Sequence, residues 1–120
     1  MMKEVNNWLD LAKRDFNAAK GSFNTQNFEW ACFQMQQSVE KALKAILILK
    51  ENKIIKTHDL VFLADKVNLP SEFKEICKEL TLIYLSVRYP DSAEIKNIKQ
   101  KAEKYLNLVE EILQWTEKQV

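Results

Sequence analysis

"FQMQQSVEKALKAIL", residues 33–47, reads as a single amphipathic helix at 100° per residue. Val39, Ala42, Leu43 and Ile46 gather on one face, while Gln34, Gln37, Lys41 and Lys44 fall opposite. Gln36 and Glu40 belong to neither side. They lie on the shoulder of the apolar stripe, in line with Leu43 and Leu47, where a carboxylate is costly to bury without a partner. Two readings of that shoulder are open. Glu40 precedes Lys44 by four residues, the order that favours a surface ion pair of about 0.3–0.5 kcal/mol. Alternatively, this side of the helix meets another polypeptide whose groups satisfy Gln36 and Glu40 while Leu43 and Leu47 pack.

The residues on either side repeat the helical signal. One glycine in 120 residues, where about eight would be average, leaves little to build the positive-φ hairpin turns of antiparallel sheets. Val5, Trp8, Leu9, Ala12, Phe16, Ala19 and Phe23 recur at three and four, predicting a first helix over about 3–22 with Gly21 as its stop. The helix that contains the quoted stretch is expected over about 27–51. Thr57 is the expected N-cap of a short helix carrying Leu60, Leu63, Ala64 and Val67, which ends before Asn68 and Pro70. From Ser71 a further stripe (Phe73, Ile76, Cys77, Leu80, Ile83, Tyr84, Val87) runs to Arg88, where Pro90 closes it. Asp91 and Glu94 form a capping-box pattern opening the last helix, with Ile95, Ile98, Ala102, Tyr105, Val109, Ile112 and Thr116 as its stripe. The expectation is an all-α, up-and-down antiparallel helical bundle of four long helices plus one short helix, one domain over residues 1–120. Trp8, Trp30 and Trp115, with the six Phe, are expected to fill its core.

Composition narrows the function. Eighteen Lys and Arg against 17 Asp and Glu give a net charge of +1, so no global field draws the chain to phosphates or bilayers. Cys32 and Cys77 stand at apolar helical positions with no CxxC, which favours buried reduced thiols in a reducing compartment. The opening MMKEVNNWLDLAK has no apolar run of the signal-peptide kind, and Ala45 to Leu49 is far below the roughly 18 residues of a membrane span. A cytoplasmic protein without membrane partners is expected. With one His, no cysteines at ligand spacing, no glycine-rich phosphate loop and no nucleophile set beside a base, no metal, no cofactor and no triad chemistry are expected. The polar groups that remain sit near helix ends. His58 follows the Thr57 cap, where the helix dipole favours a neutral ring, and reads either as a ligand group or as a loop histidine bonding the backbone. Asp59 reads as a first-turn acid that complements the same dipole. Arg88 either satisfies helix-end carbonyls or joins Tyr89 and Asp91 in a polar corner able to grip a phosphate or carboxylate.

"ACFQMQQSVEKALKAILI" at 31–48, "THDL" at 57–60 and "SVRYPD" at 86–91, in that order and separation, resemble the HEPN family of prokaryotic helical domains. "WLDLAKRDFNAAK" at 8–20 resembles the first helix of that family, so the likeness spans nearly the whole chain. The resemblance implies a four-to-five-helix bundle that forms homodimers and docks a small nucleotidyltransferase, with a nucleotide or RNA as ligand. Toxin ribonucleases form another branch, marked by an arginine followed four to six residues later by a histidine on the same helix. Here Tyr89, Pro90, Asp91, Ser92, Ala93, Glu94 and Ile95 follow Arg88, and the only histidine, His58, lies upstream. That departure removes the proton carriers of RNA cleavage, so a non-catalytic binding module is expected, with a ribonuclease built atypically around Arg88 and a purely structural dimeric adaptor as the alternatives. Matching letters carry a binding role to Gln36, Gln37, Glu40, Lys41 and Lys44, to His58 and Asp59, and to Arg88, Tyr89 and Asp91. In an ideal antiparallel bundle Arg88 lies level with 28–31, Glu40 about three turns further along, and His58 towards the other end. The expectation is therefore that these groups do not share one pocket in one protomer, and that the Gln36 and Glu40 shoulder faces a second chain.

Overall fold

The computed structural model describes residues 2–89 and 95–120. Its helices are α1 (Met2–Asn24), α2 (Phe28–Glu51), α3 (Leu60–Val67), α4 (Lys74–Val87) and α5 (Ile98–Lys118), with a 3₁₀ turn at Ser71–Phe73 leading into α4; there is no strand among the described residues. The fold is the expected all-helical one, four long helices and one short. α2 is its axis and touches α1, α3, α4 and α5. The sequence explains why: from Ala42 to Ile48 every residue of α2 is buried, Lys44 included, and a helix covered on all sides is a core helix. α1 approaches it through small residues. Ala12 and Ala19 are fully buried, and Ser38 Oγ donates to the Ala12 carbonyl at 2.7 Å. On the far side α5 buries Ala102, Tyr105, Val109, Ile112, Leu113 and Thr116.

Element ends depart from expectation at identifiable residues. α1 continues through Gly21 to Asn24, and its stop is Gln26, in the left-handed region at φ 65°. Asn52 (φ 53°) and Asn68 (φ 57°) end α2 and α3 in the same conformation, which asparagine tolerates better than other side-chain-bearing residues. The cap of α3 is Asp59 and not Thr57: Asp59 Oδ1 accepts from the N–H groups of Val61 (3.0 Å) and Phe62 (3.3 Å). Thr57 Oγ1 instead accepts from the Asp59 N–H at 3.1 Å, one step outside the helix. α5 begins at Ile98 behind Asn97, and the Asp91–Glu94 capping box lies outside the described residues.

Buried polar groups are few and partnered. Thr116 Oγ1 donates to the Leu113 carbonyl at 2.7 Å, and Tyr105 donates to Glu79 at 2.7 Å. Burial, reinforced by that hydrogen bond, pushes the Tyr105 phenol pKa up. Cys32 and Cys77 are free and fully buried, and desolvation pushes both thiols up to about 12. Trp8 and Trp115 pack partly buried against the core, but Trp30 does not fill it: the indole is half exposed and lies on Phe33. Among the described residues no helix is long and apolar enough to cross a membrane.

Candidate functional site

The shoulder of α2 is buried by its own chain. Gln36 is fully covered and Glu40 and Lys44 are nearly so, which excludes the exposed ion pair and removes the need for a second polypeptide to satisfy them. Glu40 Oε2 accepts from Lys44 Nζ at 2.9 Å. Its Oε1 meets His58 Nδ1 at 2.8 Å and Gln36 Nε2 at 3.2 Å. Gln36 Nε2 also donates to the His58 carbonyl at 2.9 Å, and Gln36 Oε1 accepts from Gln37 Nε2 at 2.7 Å. No described side-chain polar atom is buried without a partner.

His58 is thus pinned to the middle of α2, not to its far end. From Glu51 back to Glu40 is about 16 Å at 1.5 Å per residue. The irregular stretch 53–59 can span roughly 23 Å when extended, so it returns along the helix it has just left. Straight-bundle geometry omits that return, which is why the expected separation of Glu40 from His58 is wrong. The ring of His58 lies 5.1 Å from that of Tyr84, tilted by 39°. Arg88, four residues after Tyr84 on the same helix, donates from Nη1 to the Tyr84 hydroxyl at 3.1 Å and sets its guanidinium 5.3 Å from the ring centroid. One protomer therefore gathers Gln36, Glu40, Lys44, His58, Tyr84 and Arg88 into one polar cluster.

Other expected residues fall outside it. Lys41 pairs with Asp15 of α1 on the flank of α2. Gln37 donates to Gln36 at the margin of the cluster. Asp59 caps α3, and its neighbour Leu60 N–H donates to Thr81 Oγ1 at 3.2 Å, tying the start of α3 to α4. Tyr89 is exposed just beyond α4, and Asp91 lies outside the described residues. Sequence reasoning missed Tyr84 and Phe33, whose rings stack at 5.0 Å and 19°. Tyr84 carried one usable signal, its four-residue spacing from Arg88; Phe33 carried none.

Chemically, the Glu40 carboxyl occupies Nδ1 of His58 and leaves Nε2 for a ligand, on a side chain that is 54% exposed. Arg88 is exposed as well and adds a guanidinium fork suited to phosphate or carboxylate. The described residues gather no group of three or more His, Cys, Asp and Glu able to hold a metal ion.

The protein is thus an all-helical bundle with a partly exposed polar cluster seated against its central helix. The chain matches the HEPN domain over residues 5–119 and belongs to that family. No curated protein matches it. Among solved structures it is similar to TT1696 from Thermus thermophilus, at 28% identity over 98% of both chains with a TM-score of 0.85. It is also similar to ST0689, an archaeal HEPN homologue, at 27% identity over 97% of both chains with a TM-score of 0.78.

Proposed function

We propose that this HEPN domain is a non-catalytic binding module that pairs with a second copy, docks a small nucleotidyltransferase and receives the phosphate of a nucleotide or RNA at His58 and Arg88. The observation that carries this reading is the joining of those two side chains through Tyr84 on one exposed flank. Guanidinium N–H groups donate to phosphate, as does Nε2 of an imidazole that carries protons on both ring nitrogens, and charge-assisted hydrogen bonds of this kind are worth about 1.5–3 kcal/mol each. Leu82, Leu85 and Tyr89 stand exposed at spacings of three and four at the end of α4, an apolar side that suits a protein partner.

Calorimetry with a nucleoside triphosphate and with a short RNA, on the wild type and on Arg88→Ala, tests the ligand part. Saturable binding that weakens by about tenfold or more in the variant is expected. Light scattering tests the pairing, and co-purification with a small nucleotidyltransferase tests the docking. A strict monomer that binds neither nucleotide nor partner refutes the reading.

A ribonuclease is the second reading, and the Glu40–His58 contact at 2.8 Å favours it, because a carboxylate that orients an imidazole beside an arginine is acid/base equipment. RNA cleaved by the pure wild type, and left intact by both His58→Ala and Arg88→Ala, would establish it.

A further inference from the structure

The polar cluster is one end of an aromatic stack. Trp30, in the first turn of α2, lies on Phe33 with ring centroids 4.8 Å apart and planes only 4° from parallel. Phe33 in turn stacks on Tyr84, and Tyr84 meets His58 and Arg88. Gln34 holds the indole at its edge: in the amide orientation that satisfies its neighbours, its oxygen accepts from Trp30 Nε1 at 3.2 Å and its nitrogen donates to the Ala18 carbonyl at 3.3 Å. Trp30 is therefore fixed at one face and one edge, yet stays 50% exposed. A large, rigid, half-exposed indole that extends a parallel stack has the geometry on which a nucleobase stacks, and every base has a face to offer.

We propose that Trp30 is a base-stacking platform and that the site takes single-stranded RNA, one base on the outer face of Trp30 and a phosphate at Arg88 and His58. This rests on the phosphate-binding reading above and adds the class of ligand. Charge selects the occupant. The stack ends in a guanidinium and an imidazole, which suits a ligand with anionic groups beside flat apolar ones. Paired bases in a duplex already have both faces stacked, so a single strand is required.

The test uses the full chain with Trp8→Phe and Trp115→Phe, which leaves Trp30 as the sole indole. It is titrated with hexa-adenylate, hexa-uridylate and an abasic hexamer of equal phosphate number. Expected is saturable quenching of Trp30 fluorescence by both base-bearing strands, with the abasic strand binding by calorimetry but not quenching. In the otherwise unchanged chain, Trp30→Ala should weaken the base-bearing strands roughly tenfold or more and leave the abasic strand unchanged, with Trp30→Phe recovering most of the loss. Equal affinity of wild type and Trp30→Ala for every strand overturns the platform while sparing the phosphate site. Binding of no strand to the wild type overturns both. A Trp30→Ala chain that changes from dimer to monomer in light scattering assigns the indole to a second copy and also overturns it.

Discussion

Glu40 is held by three donors, from Lys44, His58 and Gln36, at a depth where a carboxylate has little water. Its place on the edge of the apolar stripe was legible from spacing alone, as was its four-residue spacing from Lys44, but the burial of Lys44 was not, because that residue reads as lying opposite the stripe. His58 was not, because it comes from 18 residues further along through a stretch without helical periodicity. The energetic consequence follows from burial. Two charges withdrawn from water gain little over a well-packed neutral pair, but removing one partner leaves the other uncompensated, at a cost of about 3–5 kcal/mol. Lys44→Met keeps the volume of the stem and deletes the charge, so urea unfolding should show a loss of that size. Adding Glu40→Gln to the same chain removes the stranded charge while keeping an acceptor for His58, and should restore most of the stability. A loss under about 1 kcal/mol in Lys44→Met would mean that the pair is solvated like a surface one.

Helices were legible wherever a side of α1, α2, α4 or α5 repeated at three and four, since one buried face per element is what that period encodes. Their ends were harder to place. Gln26, Asn52, Asn68 and Asn97 take positive φ, a choice made by the backbone that residue type only permits. Gly21 shows the converse error. Glycine suits a helix stop, but here it is an ordinary position inside α1, and a Cβ built on it meets nothing within 4 Å. It therefore weakens the helix without serving a turn. Gly21→Ala should raise the unfolding free energy by about 0.5–1 kcal/mol, through higher helix propensity and a less flexible unfolded chain. Thermal or urea unfolding followed by circular dichroism measures it. An unchanged or lowered midpoint would show that the last turn of α1 needs glycine.

At the scale of the whole molecule, the bundle was legible, but the central place of α2 and the composite cluster were not; the cluster depends on the path of 53–59 and on the stacking of Phe33 against Tyr84. The same core that gathers the cluster also sets the pH range in which the molecule stays folded. Cys32 and Cys77 are buried on helices α2 and α4, and desolvation raises both from 9.0 to about 12. Between those values the unfolded chain has lost both thiol protons while the folded chain keeps them. The folded state then binds more protons, so stability falls as pH rises, by about 1.4 kcal/mol per pH unit for each thiol. Below pH 9 neither form ionises and these groups contribute no slope. Tyr105 adds a loss of the same sign above its ordinary pKa of 10.0. Urea midpoints should therefore hold steady from pH 7 to 8 and drop steeply above 9. In Cys32→Ala with Cys77→Ala, the midpoint at neutral pH falls because cavities are left, but the alkaline slope should flatten, leaving the part that Tyr105 and other groups supply. Because that cavity loss does not vary with pH, the comparison of slopes isolates the thiols; identical slopes in the two chains would mean that the sulfurs meet solvent before the core opens.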